Sequence, residues 1–444
     1  MIEICAVGGY NEIGKNMTAI KVDNQVIIID MGLHVDNYIS FTNDEDVIGL
    51  SEKKLRNAGV IPNDKVIEKW AENVSLITST HAHLDHIGAI PFTAHRYDAP
   101  ILLTPYTAEV VKKIASDEEL KITNPIEIMR PNSTYKVSED LSVEFINITH
   151  SIPETVSVAV HTKYGTVVYA NDFKFDDNPV IGKKPNYKRL KELGDNGNVV
   201  ALIMDCLRAP EAVKTPSEGV AREMLRDVML STDSQGKLMI VTTFSSHLAR
   251  LKSIVDFGRK LNRKIVFLGR SLSKYSIAGE EVGLVDFSED VKFYRYGNQI
   301  RRFLKKFKKS DSGKYLFVVT GHQGEPKATL SKMIGEYDFK FDPEDIIIFS
   351  CTIIPSPINA ENRRKLEKKL HNKGLRIFKD IHVSGHASRE DHRDMINLLR
   401  PKNILPAHGE PIMTQALAQL AKEKGYKLGR TVHILNNGNF LKLT

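Results

Sequence analysis

THAHLDHIGAIPF, residues 80–92, sets His81, His83, Asp85 and His86 within six positions, directly after the apolar run AENVSLITS. From this chain's own His and Asp frequencies, such a cluster arises by chance on the order of once in a thousand sequences. On the turn leaving VSLITST, the alternate residues His81 and His83 point one way. The start of the next helix turns Asp85 and His86 toward a neighbouring position. Imidazole and carboxylate are ligands that zinc accepts, so two divalent cations fit side by side. Two metals need more than four ligands, and other strand ends offer them: His150 closes LSVEFINITH, Asp172 closes TVVYAND and His408 follows NILPA. Strand ends on one side of a sandwich cluster in space, so these residues are expected to converge.

Outward from that motif, the chain to about residue 180 reads as short β-type runs, IEICAVG, MTAIKV, QVIIIDMG, VSLITST, LSVEFINIT, VSVAVHT and TVVYAND, punctuated by Gly, Asn and Asp. Residues 34–70 interrupt them with a charged, irregular stretch that ends in an expected helix, NDKVIEKWAEN, and reads as an insertion near the mouth of the first domain. After a turn-rich link the texture changes. NVVALIMD, KLMIVTTF, KIVFLG, KYLFVVTG and DIIIFSC are fully apolar strands alternating with helical stretches, which predicts a parallel sheet covered on both faces. Beyond it, IHVSGHAS and NILPAHGEP are strand-to-His junctions of the first domain's type, so the tail is expected to return and complete that domain.

Composition narrows the class. Cys5, Cys206 and Cys351 are scattered and without CxxC spacing, which argues for a reducing cytoplasm and against a thiolate zinc cluster. The opening MIEICAVGG lacks the pattern of a signal peptide, and no apolar run approaches the roughly 20 residues that span a bilayer, so no membrane partner is expected. The formal net charge is +7, which leans toward an anionic partner. KFYRYGNQIRRFLKKFKK, residues 292–309, holds eight Lys or Arg and no acid. Its Ile300, Phe303, Leu304 and Phe307 recur at helical spacing, so an amphipathic helix with a solvated basic face accounts for the pattern without forbidding a phosphate-facing role.

Asp30 after an apolar strand, HAHLDH, His150 and Asp172 in that order resemble the four-part signature of the metallo-β-lactamase superfamily. The inserted α/β segment, with Asp205 in LIMDC, His386 in VSGHAS and His408 in PAHGE, resembles the β-CASP nucleic-acid-processing branch. TGHQGEP and SGHAS are most similar to the ribonuclease J family in its short archaeal form. The resemblance spans nearly the whole chain. It implies an α/β fold, a metallo-β-lactamase αββα sandwich (residues 1–190 and 361–444) carrying an inserted β-CASP parallel α/β domain (195–360).

The resemblance also implies roles. His81, His83 and His150 would hold one metal and Asp85, His86 and His408 the other, with Asp172 bridging. The cofactor would be two zinc ions, with manganese or magnesium as alternatives. Asp30 would orient ligand histidines from behind. Asp85, His386 and Asp205 would carry the chemistry, His386 as general acid and Asp205 holding it. Ser384, Gly385, His386, Ala387 and Ser388 would grip RNA phosphate, although a plain helix N-cap also explains Ser388. Ser245, Ser246, His247, His322, Gly324 and Glu325 would line the RNA path. The activity implied is a 5′-to-3′ exoribonuclease that prefers 5′-monophosphate single-stranded RNA, with an endoribonuclease of the 3′-end-processing type as the alternative. Bacterial relatives carry a long C-terminal domain that aids dimerisation, so a homodimer is an open expectation here. A small-molecule hydrolase fits the long insertion and basic stretch poorly, and a non-catalytic scaffold fits the full ligand set poorly.

Overall fold

The early β-type runs pair with one another in the computed structural model, which describes residues 1–44, 51–354 and 356–443. The chain forms two compact units, one made of Met1–Asp177, Lys183–Thr215 and Gly385–Thr444, the other of Asn178–Gly182 and Pro216–Ser384.

In the first unit, one sheet runs Phe440–Leu443, Ile2–Gly8, Met17–Val22, Gln25–Ile29, Val74–Thr78, Ile101–Leu103 and Ile126–Ile128. Its first four strands are antiparallel and the remainder parallel. A second sheet runs Ile404–Ala407, Val199–Asp205, Gly165–Ala170, Val156–Thr162, Leu141–Asn147 and Ser133–Lys136. Ile4, Ile20, Ile27 and Leu76 from the first sheet meet Phe145, Val158, Val167 and Ile203 from the second in a buried apolar layer. The far face of the second sheet, with Val168, Leu202 and Met204, is covered by the helices Tyr187–Asp195, Arg389–Leu399 and Pro411–Glu423 through Leu190, Met395, Leu399 and Leu417. The helical segments Asp64–Asn73 and Pro105–Asp117 pack on strands of the first sheet. The result is the helix–sheet–sheet–helix sandwich, because the central strands are apolar on both faces and need cover on both.

The second unit holds six parallel strands in the order Val291–Tyr294, Lys264–Leu268, Tyr315–Val319, Met239–Thr242, Ile346–Phe349 and Arg376–Phe378. Its four central strands are almost entirely buried, as a sheet flanked by helices demands.

Three expectations change. Val199–Asp205, read from its apolar run as the first strand of the insertion, lies between Gly165–Ala170 and Ile404–Ala407 in the sandwich. An apolar run reports burial on both faces and says nothing about which sheet supplies the neighbours. The insertion also continues past residue 360, through the helix Pro357–His371 and the strand Arg376–Phe378. IHVSGHAS holds no strand; residues 379–384 are irregular. Within the irregular stretch 34–70, Val35–Asp44 and Glu52–Asn57 are helical, Asp64–Asn73 is 3-10, and residues 45–50 lie outside the described residues. No helix among the described residues is long and apolar enough to cross a membrane.

Candidate metal centre

The sheet topology gathers the predicted ligands. Leu141–Asn147, Gly165–Ala170, Val199–Asp205 and Ile404–Ala407 run in one direction, and His150, Asp172, Asp205 and His408 stand at or just past their C-terminal ends. In the facing sheet, Gln25–Ile29 and Val74–Thr78 are parallel neighbours and deliver Asp30 and the HAHLDH turn. Asp30 (φ 63°) and His408 (φ 51°) both adopt the left-handed region, a conformation that costs energy for residues with a Cβ and recurs where function requires it.

Two groups of four ligand atoms result, each with all its atoms within 4.8 Å of one another: His81, His83, His150 and Asp172 in one, Asp85, His86, Asp172 and His408 in the other. Asp172 belongs to both. Its Oδ2 lies 3.6 Å from His81 Nε2, 3.4 Å from His86 Nε2 and 3.5 Å from His150 Nε2, while its Oδ1 lies 3.8 Å from His408 Nε2. Asp172 Oδ1 is buried and has no hydrogen-bond partner. A buried, unpaired carboxylate oxygen is costly unless something cationic meets it.

The surrounding hydrogen bonds aim the imidazoles. His150 Nδ1 donates to the carbonyl of Gly385 at 2.7 Å, so its Nε2 lone pair faces Asp172. Two acceptors then confront each other, which is unfavourable until a cation sits between them. A Cβ on residue 385 would come within 2.9 Å of His150 Cε1 and 2.7 Å of Ser151 Cβ, so this carbonyl reaches His150 only from a glycine. His86 Nδ1 donates to Asp30 Oδ2 at 2.8 Å, while Asp30 Oδ1 accepts from Ser79 Oγ at 2.7 Å and from the Thr80 N–H at 2.9 Å. Asp30 thus stands behind His86, fully buried, as a carboxylate that fixes its imidazole tautomer.

Burial drives His81 and His150 well below the ordinary histidine range and His83 down to about 4. These three are neutral at pH 7, the form a metal requires. Burial also pushes His86 down, but Asp172, Asp30 and Asp85 outweigh it and hold its pKa well above the ordinary range. Burial raises Asp172, and His86, His408 and His386 overcome that and hold its carboxyl well below the ordinary carboxylate range. Imidazoles, carboxylates and an orphaned carboxylate oxygen are a donor set that fits a pair of divalent cations.

His386 stands beside this centre. Its Nδ1 lies 3.1 Å from Asp205 Oδ2 and its Nε2 3.9 Å from Asp172 Oδ2. Burial would lower its pKa, but Asp172 and Asp205 raise it to about 9, so the ring carries a proton at neutral pH. Asp205 is fully buried and its Oδ1 accepts from the Leu207 N–H at 2.7 Å, which leaves Oδ2 for His386.

The chain is similar to known proteins along its length. Residues 11–197 match the family model described as Metallo-beta-lactamase superfamily, 235–366 the model Ribonuclease J, beta-CASP domain, and 375–434 the model Zn-dependent metallo-hydrolase RNA specificity domain. A ribonuclease J of Methanocaldococcus jannaschii is 45% identical over 442 residues, 99% of this chain and 98% of that one. The chain belongs to the ribonuclease J family. A second ribonuclease J, from Pyrococcus abyssi, is 43% identical and covers 100% of this chain and 97% of its own. Ribonuclease J 1 of Streptococcus pyogenes is 30% identical over all of this chain and 74% of its own length, so that family member extends further. Among solved structures, a protein of unknown function from Enterococcus faecalis V583 superimposes with a TM-score of 0.64 at 17% identity over 100% of both chains, a likeness of fold.

Other expected contacts of this ribonuclease J family member are placed differently. Ser388 is fully buried as the cap of the helix Arg389–Leu399. Its N–H donates to Thr215 Oγ1 at 2.9 Å and lies 3.2 Å from Asp391 Oδ2, so neither it nor the buried Ala387 offers a free donor to substrate. His247 is buried at the start of the helix Leu248–Lys260; its Nδ1 accepts from the Arg250 N–H, and its Nε2 lies 3.4 Å from Glu218 Oε2. Both its nitrogens serve the interior, because the Ser-His turn that resembles a binding loop is also a good helix start. Gly324 is buried, and a Cβ there would meet Asn362 backbone at 2.5 Å, so it serves close packing. Ser245, Ser246, His322, Glu325 and Ser384 are half-buried, and the His322 ring packs 4.3 Å from Phe244.

Sequence reasoning passed over Asn16. It is buried, its Oδ1 accepts from His408 Nδ1 at 3.1 Å, and its Nδ2 donates to the carbonyl of Asp85 at 3.1 Å. The available signal was its place in GGYNEIGKN, a glycine-rich turn leading into a strand, where a polar side chain often has a functional neighbour.

Proposed function

We propose that this protein is a two-zinc ribonuclease that hydrolyses phosphodiesters of single-stranded RNA, working 5′ to 3′ from ends that carry a monophosphate. One observation supports the reading above all: two four-ligand groups share Asp172, whose second oxygen has no partner. When bound there, a cation pair supplies Lewis acidity to a scissile phosphate and acidifies water. The first ion would be held by His81, His83, His150 and Asp172, the second by Asp85, His86, His408 and Asp172.

The chain's own residues do the remainder. Asp30, Asn16 and the Gly385 carbonyl fix the ring orientations of His86, His408 and His150. His386 holds a proton within reach of the centre and gives it to the departing ribose oxygen. Asp205 accepts the Nδ1–H of His386, which keeps the proton-bearing Nε2 turned toward the phosphate and steadies the imidazolium before transfer. His386 Nε2 is the donor of the SGHAS loop that faces a phosphate. The three cysteines are free and buried, in keeping with a reducing cytoplasm.

Incubation of one end-labelled RNA in 5′-monophosphate and 5′-triphosphate forms, with and without chelator, tests the reading. Mononucleotides released from the monophosphate form alone, and lost with chelator, are the expected outcome. Cleavage of a circular RNA as fast as of its linear form would replace the exonuclease reading with the endonuclease one.

A further inference from the structure

The basic stretch 292–309 takes no part in the centre described above. The structure resolves it into the edge strand Val291–Tyr294 and the helix Gly297–Lys306. Ile300 and Leu304 are buried in the cluster that holds Phe317 and Phe339, which anchors one face of the helix. On the other face Arg301, Arg302, Lys305 and Lys306 are exposed. Arg301 faces Lys305 and Arg302 faces Lys306 across one turn, and like charges at that spacing destabilise a helix.

No local acid offsets this repulsion. Among the described residues, none of these four cations, nor Arg295, has a carboxylate within 4 Å. The acids of the adjoining segment are taken: Asp342 pairs with Lys309, Asp338 with Lys340, and Glu336 with Lys332. The helix dipole favours Lys305 and Lys306 in the last turn, but it does nothing for Arg301 and Arg302 further in. At the start of the same helix, Tyr296 is 56% exposed beside Arg295, although an aromatic ring of that size gains from burial.

Unpaired cations on a rigid helix with a bare aromatic at its start match the chemistry of a single-stranded nucleic acid. Phosphates meet the guanidinium and ammonium groups, and a base stacks on the ring. An acidic protein would use the charge but has no need of the exposed tyrosine. A duplex would use the charge without offering a free base face.

We infer that the helix Gly297–Lys306, with Arg295 and Tyr296, is an RNA-holding surface of the second unit, which binds a stretch of single-stranded RNA. The inference rests on the ribonuclease reading for the identity of the polymer.

The test uses the full chain loaded with zinc and the variant R301Q/R302Q/K305Q/K306Q, all four positions being exposed; R301K/R302K serves as the charge-preserving control. Affinity for a single-stranded RNA of about 30 nucleotides is followed across a salt series, alongside kcat/KM on an RNA of about 5 nucleotides. The expected result is a loss of about tenfold or more in affinity for the long RNA and a salt slope shallower by about 2–3, at roughly 0.7 per lost phosphate contact. Short-RNA hydrolysis stays unchanged and the control behaves as wild type. An unchanged slope with intact hydrolysis overturns the inference. So does an equal loss of binding to polyglutamate, which would assign the surface to an acidic protein. Tyr296→Ala is expected to weaken the single strand and spare a duplex of the same length; equal weakening of both overturns the single-strand assignment. If wild type fails to hydrolyse the short RNA, the ribonuclease reading falls, while the salt slope still reports on the helix.

Discussion

Two buried polar clusters in this molecule differ in one respect. In the second unit, Arg250 is fully buried, and each of its three guanidinium nitrogens is met: Glu218 accepts at 2.7 and 2.9 Å, the Ser350 carbonyl and hydroxyl at 2.9 Å each, and the Ile381 carbonyl at 3.1 Å. Around Asp172 the opposite holds, with lone pairs facing one another and a carboxylate oxygen left orphaned. A polar cluster that satisfies itself is architecture. One that stays unsatisfied after folding has been kept for a ligand.

Breaking each cluster should therefore give different losses. His83→Ala with His86→Ala takes one ligand from each group, and turnover is expected to fall by about 10³-fold or more with RNA binding largely intact, read by single-turnover kinetics and anisotropy. Retained turnover would refute the ligand assignment. Arg250→Met takes the guanidinium from buried Glu218, leaving only His247 beside it, and should cost about 3–5 kcal/mol in urea unfolding. Activity per folded molecule should be unchanged, and a stable variant with lost activity would make the Arg250 cluster part of the machinery.

Between these extremes, Asp205→Asn keeps the shape beside His386 but removes the charge that holds its proton. A fall of about 10²-fold in kcat with KM little moved is expected, and Asp205→Glu should restore part of it where Asp205→Ala does not. The smallest effect concerns a self-satisfied cluster in the sandwich. Burial raises the Glu144 carboxyl, but hydrogen bonds from His161 and Arg189, at 2.7 Å each, overcome this and bring its pKa down to about 2. A folded pKa below the unfolded one means stability that is present above about pH 4.5 and lost as pH falls toward 2. Glu144→Gln should remove about 2 kcal/mol of that dependence, seen as a flatter acid limb in Tm against pH.

Much of this was legible in the sequence where the signal is local. Ile2–Gly8, Met17–Val22 and Val156–Thr162 are strands over the runs read as strands, because alternation and turn residues act over a few positions. The convergence of His150, Asp172 and His408 was legible from their place after apolar runs, since parallel strands end on one side. Asn16 was not, because nothing near it in the chain reveals the His408 ring it meets from 392 residues away. The role of Gly385 was hidden for the same reason: a carbonyl has no sequence signature. Ser388 and His247 resembled binding residues because a polar side chain before a helix caps it as readily as it grips a phosphate. The short strands Ile126–Ile128 and Ser133–Lys136 are half-exposed and carry too little apolar signal to be read alone.

The proposed function requires that Asp172 be shared by two cations. Elemental analysis of zinc per chain, on wild type and on Asp172→Ala after dialysis against trace zinc, tests it most directly. Two zinc per folded wild-type chain and a loss of both, or nearly so, in the variant are predicted. One zinc or none in wild type, or two retained without Asp172, would contradict it.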